Sequence, residues 1–128
     1  MSDCITEGVR VGARAFYLPA ESAPEEKRYL FGYRIVIVNE GDRQARLLSR
    51  HWVIIDAHGK QEEVRGPGVV GQTPLLLPGQ GFKYTSYCPL ETTWGTMEGS
   101  YEMERDDGSR FRAIIKRFYL AREHEDAG

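Results

Sequence analysis

The sequence predicts an all-β protein, an antiparallel β-sandwich or barrel of seven or eight strands. Short runs rich in β-branched and aromatic residues recur along the chain, separated by connections rich in Pro, Gly and Asp. None of these runs has the sustained three-to-four-residue apolar spacing of a helix. With 128 residues the chain has the length of one domain. We expect a single domain over residues 1–128, with a core at about 5–121 and a frayed polar tail at 122–128.

The predicted strands are justified in chain order by their side-chain periods. The first carries Val9, Val11 and Ala13 on one face, and the second reads YLFGYRIVIV, dense enough in apolar residues for a buried strand. The third, RLLSRHWVIID, ends before a turn at His58-Gly59, and a short polar strand follows. The fifth and sixth strands alternate with a period of two, and the segment FRAIIKRFYL is the last strand. The seven ranges are 9–18, 29–38, 46–56, 61–65, 82–87, 96–105 and 111–120.

The third strand leaves open which of its faces is buried. Trp52 shares one face with Arg50, whereas Leu47 and Ile55 share the other face with His51. Strict alternation cannot place both sets in the core, because neighbouring residues point to opposite sides of a sheet. We expect Trp52 or its neighbours inside.

The last two strands predict a hairpin with an odd number of loop residues. We place Met103 opposite Ala113 in the core, which also sets acidic and basic residues opposite one another on the solvent face. This register leaves a connection at 107–109, or five residues if the adjoining pair opens. Gly108 is then expected at or near the left-handed position.

The segment from Gly66 to Gly71 spells G-x-G-x-x-G. A dinucleotide-binding fold places such glycines before a helix, but two prolines follow here and prevent a helix from starting. One interpretation is a tight connection whose glycines adopt positive φ. The other is a weak anion site in which backbone N–H groups and neighbouring cations hold a phosphate. The candidate residues of that site are Arg65, Gly66, Gly68, Gly71, His51 and Lys83.

Patterns that would indicate catalysis or metal binding are weak. His51 and His58 have no third ligand at a metal-site spacing, and His124 lies in the polar tail. Ser100 lies within a strand rather than in a G-x-S-x-G elbow, and Cys88 has no sequence neighbour that would lower its pKa. We therefore expect no enzyme activity, no cofactor and no metal.

Composition indicates a compartment and excludes some partners. Lys and Arg number 17 against 19 Asp and Glu, a formal net charge of -2, so the chain has no broad basic surface for nucleic acid. No apolar run reaches the length of a membrane helix, and the acidic N-terminus is unlike a signal peptide. Two cysteines are too few for a disulfide framework. We expect a cytoplasmic protein that binds neither membrane nor nucleic acid.

Five segments form one collinear pattern: LSRHW at 48–52, VRGPGVVG at 64–71, PG at 78–79, YTS at 84–86 and GTMEGSY at 95–101. Together they resemble the ApaG family. They occur in the same order along the chain and extend the resemblance from about Ile5 to Ala121; one departure is Lys116-Arg117, where relatives carry prolines. The resemblance implies an immunoglobulin-like or fibronectin type III-like sandwich. It also implies small bacterial proteins encoded beside diadenosine polyphosphate hydrolysis and named for cobalt and magnesium resistance, with related domains in eukaryotic F-box and polymerase-interacting proteins.

Two functions follow from these observations. A sandwich without a polar catalytic cluster usually presents loops and sheet faces to a partner, so the first hypothesis is a non-enzymatic binding module for an unidentified protein. The sequence leaves the oligomeric state open, and a homodimer is one alternative. The second hypothesis is weak binding of phosphate, pyrophosphate or a nucleotide at Gly66–Gly71.

Overall fold

The computed structural model describes residues 1–122 as two antiparallel sheets packed face to face. The helical segments within these residues are two 3₁₀ turns, Pro19–Glu21 and Pro24–Glu26, and neither is long or apolar enough to cross a membrane. The predicted tail lies outside the described residues except for Arg122. The strands are β1 (Ser2–Thr6), β2 (Val9–Tyr17), β3 (Tyr29–Asn39), β4 (Ala45–Asp56), β5 (Gln61–Pro67), β6 (Leu75–Leu76), β7 (Gly81–Leu90), β8 (Trp94–Glu104) and β9 (Arg110–Ala121).

The strand order confirms the predicted sandwich. One sheet runs β1-β2-β3-β7, and the other runs β5-β4-β8-β9 with β6 beside β4. Residues 1–122 form nine strands rather than seven or eight, because β1 and the two-residue β6 carry too little periodic apolar sequence to be recognised. On one side of the sandwich the Ile114 N–H of β9 donates to Thr6 Oγ1 at 3.2 Å, at the end of β1. On the other side, β7 and β5 are the outermost strands within residues 1–122.

Trp52 lies at the centre of the core. Its indole is 5.4 Å from the Tyr33 ring of the opposite sheet, 6.0 Å from Phe118 and 6.4 Å from Tyr101, with edge-on geometry in each pair. Such tilted aromatic pairs add stability beyond the burial of their area. The prediction that Trp52 is inside is confirmed, since the residue is 2% exposed.

A β-bulge at Leu48 explains why the sequence of β4 does not show one continuous buried face. Leu47 pairs with Met103, but Ser49 pairs with Glu102, so one extra residue is inserted into β4. Because the insertion reverses the alternation, both Leu47 and Trp52 point into the core. Neither face of the sequence pattern is therefore the buried face over the whole strand.

A second bulge lies in β9. Met97 pairs with Phe118 and Gly99 with Ile115, so the single residue Glu98 faces two residues, Lys116 and Arg117. Ile115 and Phe118 are consequently both buried, although three positions separate them. Arg117 Nε donates to Glu98 Oε1 at 2.6 Å. The segment that departs from the family pattern is thus a bulge whose side chains are exposed.

The predicted β8–β9 register is wrong by two residues, although the faces are correct. Met103 faces Phe111 rather than Ala113. Gly108 has φ of 86° and its N–H donates to the Arg105 carbonyl at 3.0 Å, while Arg105 N–H donates to the Ser109 carbonyl at 2.8 Å. In a three-residue hairpin loop the left-handed position is the last one, so Gly108 ends the loop at 106–108 instead of occupying its middle.

Arg105 ties three connections together at one end of the sandwich. Its guanidinium donates to the main-chain carbonyls of Glu7 at 2.7 Å, Arg43 at 3.3 Å and Gln44 at 3.4 Å. It also lies 4.3 Å from the centre of the Phe111 ring. The side chain is only 9% exposed, so these contacts replace water around the charge.

We expect Arg105→Met to lower the free energy of unfolding by about 2–4 kcal/mol, because the substitution leaves carbonyl groups at this end without their charged donor. Urea unfolding followed by circular dichroism measures the change. Arg110→Met is the control, since Arg110 is exposed and its ion pairs with Glu102 and Glu104 at 3.5 Å are each worth at most about 1 kcal/mol. Equal losses in the two variants would contradict the role assigned to Arg105.

Candidate functional site

The glycine segment folds as the end of β5 followed by a two-residue turn. Gly66 pairs with Arg50 at the end of β5, and the Gly68 N–H donates to the Leu48 carbonyl at 2.8 Å. Val69 and Gln72 then exchange two backbone hydrogen bonds of 2.8 and 2.9 Å. The two residues between them, Val70 and Gly71, have φ of 42° and 80°. Positive φ at both central positions defines a type I′ turn.

Most amides of this segment are engaged within the protein. The Asp56 N–H donates to the Lys60 carbonyl, and the Gly68 N–H donates to the Leu48 carbonyl. Because hydrogen-bonded pairs alternate along an antiparallel ladder, the even-numbered residues of β5 bond to β4, and Gly66 is one of them. Pro67 has no N–H. The amides of Val70 and Gly71, at the tip of the turn, donate no backbone hydrogen bond within residues 1–122, so they are available to an anion.

Arg50 explains the glycine at position 66, and the sequence analysis did not identify this role of Arg50. Its Nη1 donates to the carbonyls of Pro67 at 2.8 Å and Gly68 at 2.9 Å. A Cβ on Gly66 would lie 2.8 Å from the Arg50 guanidinium, and a Cβ on Gly68 would collide with the Gln72 carbonyl oxygen. The alternation in β4, which sets Arg50 on the face of Trp52, was the signal for this inward-pointing cation.

Three of the predicted site residues do come together, on the outer face of the β5-β4-β8-β9 sheet. A shallow cavity of about 170 Å³ is lined there by His51, Arg65 and Gly66. Ser100 and Arg112 approach it from β8 and β9, with Ser49, Arg50 and Glu102 completing its wall. A hydroxyl-lined depression with arginines at opposite ends has the chemistry of a weak phosphate site.

Gly68, Gly71 and Lys83 do not line this cavity. Lys83 pairs with Val36 and is exposed on the outer face of the opposite sheet, so its predicted place beside His51 and Arg65 is wrong. The sequence could not show this, because the distance between β5 and β7 depends on which sheet each strand joins.

Side-chain contacts to Glu63 already occupy part of the cavity rim. His51 Nε2 is 3.0 Å from Glu63 Oε1, and Arg65 Nη2 is 3.3 Å from the same oxygen. The hydrogen bond with His51 is the main cause that lowers the pKa of Glu63. Arg112 forms no ion pair within 4 Å among residues 1–122, so its charge is the one most available to an incoming anion.

Other reactive groups are remote from this cavity or buried. Burial raises the pKa of the Cys88 thiol to about 12, which keeps it protonated and unreactive at neutral pH. Across the described part of the chain, no group of three or more His, Cys, Asp or Glu side chains is placed to hold a metal ion.

A stacked aromatic pair is exposed on the same outer sheet face, near the start of β8. The rings of Trp94 and Tyr119 lie 6.2 Å apart at 26°, and the residues are 43% and 60% exposed. Tyr119 pairs with Thr96, which in turn pairs with Ile55, so an apolar row crosses three strands beside Trp94. Large exposed aromatic side chains grouped in this way are typical of binding surfaces.

Comparison with known proteins gives a consistent result. A family model described as the ApaG domain matches residues 19–105. The chain is 51% identical over 120 residues to Protein ApaG of Anaeromyxobacter dehalogenans, covering 94% of each chain. It is 54% identical over 121 residues to Protein ApaG of an Azoarcus species, covering 94% of this chain and 95% of the relative.

Solved structures agree with the sequence relatives. The crystal structure of the putative ApaA protein from Bordetella pertussis superposes with a TM-score of 0.87 at 45% identity, covering 89% of this chain and 93% of that one. The C-terminal domain of wzt superposes with a TM-score of 0.55 at 9% identity, covering 95% and 77% of the two chains, which shows a shared fold alone.

We expect Gly68→Ala to lower the free energy of unfolding by about 2–4 kcal/mol, because a Cβ there meets the Gln72 carbonyl and the residue has φ of 58°. Gly71→Ala, whose Cβ would meet nothing within 4 Å, should cost about 1–2 kcal/mol from its left-handed backbone alone. Urea unfolding separates the two. A larger loss in Gly71→Ala would show that the turn is not held as described.

Proposed function

Because the chain belongs to the ApaG family, we propose that it is a non-enzymatic binding module that acts in the cytoplasm by holding a protein partner. The exposed Trp94–Tyr119 stack is the observation that carries the proposal. Trp and Tyr are the side chains that most often dominate binding energy at protein interfaces, where each combines a large apolar area with one polar group.

The surroundings of this pair suit a protein surface. Ile55 and the buried Thr96 extend the apolar area across the sheet, and the nearby Arg117 is neutralised by Glu98. An interface centre with little net charge, surrounded by polar side chains, is the usual anatomy of a protein–protein contact. The link to cobalt and magnesium resistance that the family resemblance implies would act through such a partner.

The test compares affinity capture from cell extract by the wild-type chain and by the Trp94→Ser/Tyr119→Ser variant. We expect at least one captured protein to fall about tenfold or more in the variant, since two interface aromatics lost together remove roughly 2 kcal/mol or more. Ile114→Ser is the matched control, because Ile114 is 42% exposed on β9 but distant in register from Tyr119. An unchanged set of captured proteins in the double variant would contradict the proposal.

A second candidate function is weak binding of phosphate or pyrophosphate at the cavity of His51, Arg65 and Arg112. The specific observation in its favour is the convergence of three predicted residues, Gly66 included, with an arginine that has no ion pair within residues 1–122. The amides of Val70 and Gly71, which donate no backbone hydrogen bond within residues 1–122, form a second location where the same ligand would bind.

Titration with inorganic phosphate and pyrophosphate, followed by amide NMR, tests this candidate. We expect millimolar affinity, which corresponds to about 4 kcal/mol, with shifts at Ser49, His51 and Arg65. Arg112→Gln should weaken binding about threefold to tenfold, and Arg110→Gln, on the same strand but paired with acids, should leave it unchanged. The candidate fails if neither the cavity nor the turn shifts at concentrations of about 20 mM.

A further inference from the structure

A groove of about 320 Å³ opens between the two sheets on the side away from β9. Its floor is apolar, formed by Ile54 of β4 and by Pro89 and Leu90 at the end of β7. Glu62 of β5 forms part of the opposite wall. This surface is distinct from the Trp94–Tyr119 stack, which lies on the outer face of the sheet.

The groove exists because β4 and β5 of one sheet lie laterally beyond β7, the edge strand of the opposite sheet. Leu90 Cδ1 lies 2.8 Å from the position of the Cβ that Gly95 lacks, which places this end of β7 opposite β8. In the sheet order, β4 and then β5 lie beyond β8. Their inward side chains Ile54 and Val64 are therefore only partly buried. One strand position beside β7 is left unfilled within residues 1–122.

The outer edge of β7 presents main-chain hydrogen-bonding groups at this position. Asn39 N–H donates to the Gln80 carbonyl, so even-numbered residues of β7 bond to β3. The amides and carbonyls of Thr85 and Tyr87 therefore point away from β3. Pro89, which lacks an N–H, falls at an outward position, where its missing donor costs no ladder bond.

The edge of β5 is a poorer template than the edge of β7. The first five residues of β5 read QEEVR, and its last residue, Pro67, has its main-chain nitrogen directed outward. Charges and proline on an edge strand discourage the addition of a further strand. Along the ten residues of β7, Lys83 is the charged residue.

The charges of the groove are not neutralised by one another. The charged residues that face it are Glu26, Asp56, Glu62, Glu91, Lys27, Arg28 and Lys60, and within residues 1–122 none of them forms an ion pair within 4 Å. The Asp56 carboxylate accepts the main-chain N–H groups of His58 and Lys60 at 2.9 Å. Glu62 occupies the same face of β5 as Val64, directed between the sheets. A cation reaching over Ile54 and Leu90 would meet this carboxylate.

We propose that the groove binds an extended segment of a partner polypeptide, which adds to β7 as a further strand and places a Lys or Arg side chain against Glu62. Main-chain hydrogen bonds to Thr85 and Tyr87 supply affinity, and the alternate side chains that enter the groove supply specificity. The aliphatic stem of the basic residue packs on Ile54 and Leu90.

An extended segment fits this place better than an edge strand of a second copy. A second copy would bring a whole sheet along with its strand, and β4 and β5 already project over the position beside β7. A segment of a few residues without neighbouring strands avoids that collision.

The test titrates the full chain with a fluorescent eight-residue peptide that alternates valine and threonine around a central lysine. A second peptide carries glutamate in place of the lysine, and a third is the lysine peptide N-methylated at alternate amides. We expect the lysine peptide to bind about tenfold more tightly than either of the others, with amide NMR shifts at Thr85 and Tyr87.

Glu62→Lys should reverse the preference between the lysine and glutamate peptides. Glu63→Lys is the matched control, because Glu63 is the next residue of β5 but points to the outer face, and it should leave the preference unchanged. The proposal is overturned if no peptide binds, if the N-methylated peptide binds equally, or if the shifts fall at Trp94 and Tyr119. It is also overturned if sedimentation shows that the chain dimerises and the amide NMR shifts of Thr85 and Tyr87 follow that dimerisation. Loss of partner capture in the Trp94/Tyr119 variant is independent of all these readouts.

Discussion

The sandwich requires each sheet to bury one continuous apolar face, although two bulges within residues 1–122 interrupt the alternation of inward and outward side chains. A strand exposes successive residues on opposite faces, so one extra residue would turn half of a strand inside out. In β4 the bulge at Leu48 lets Leu47 and Trp52 share the core, and in β9 the bulge at Lys116–Arg117 does the same for Ile115 and Phe118. Trp52 then contacts Tyr33 across the sandwich. The aromatic core and the outer polar face both follow from these two insertions.

The G-x-G-x-x-G pattern at residues 66–71, which marks a ligand site in other folds, is explained in this protein by chain packing. Gly66 leaves room for the guanidinium of Arg50, Gly68 lets the chain pass the Gln72 carbonyl, and Gly71 completes a tight turn. Each glycine therefore has a separate steric reason. The cavity that collects His51 and Arg65 lies beside this turn on the sheet face and is built from cross-strand neighbours, which is why spacing along the chain does not describe it.

Strand identity and the sandwich class could be predicted because they depend on local composition and period. Three things could not. The bulges need cross-strand contacts to be recognised; the register of the last hairpin turned on whether Gly108 is the middle or the last loop residue; and Lys83 was grouped with His51 without knowledge of which sheet β7 joins. The Trp94–Tyr119 stack was missed for a related reason, since its two residues become neighbours through pairing of β8 with β9.

Both outer strands of the open side carry a proline at their C-terminal end: Pro67 is the last residue of β5, and Pro89 is the next-to-last residue of β7. The ladder directs each of these nitrogens outward, so neither proline weakens the native sheets. Their effect falls on intermolecular assembly. A chain that pairs with either edge loses a donor after a few residues, which halts the continuous strand-on-strand growth that leads to fibrils. An exposed β-edge can thus remain available in a crowded cell without making the protein prone to aggregation.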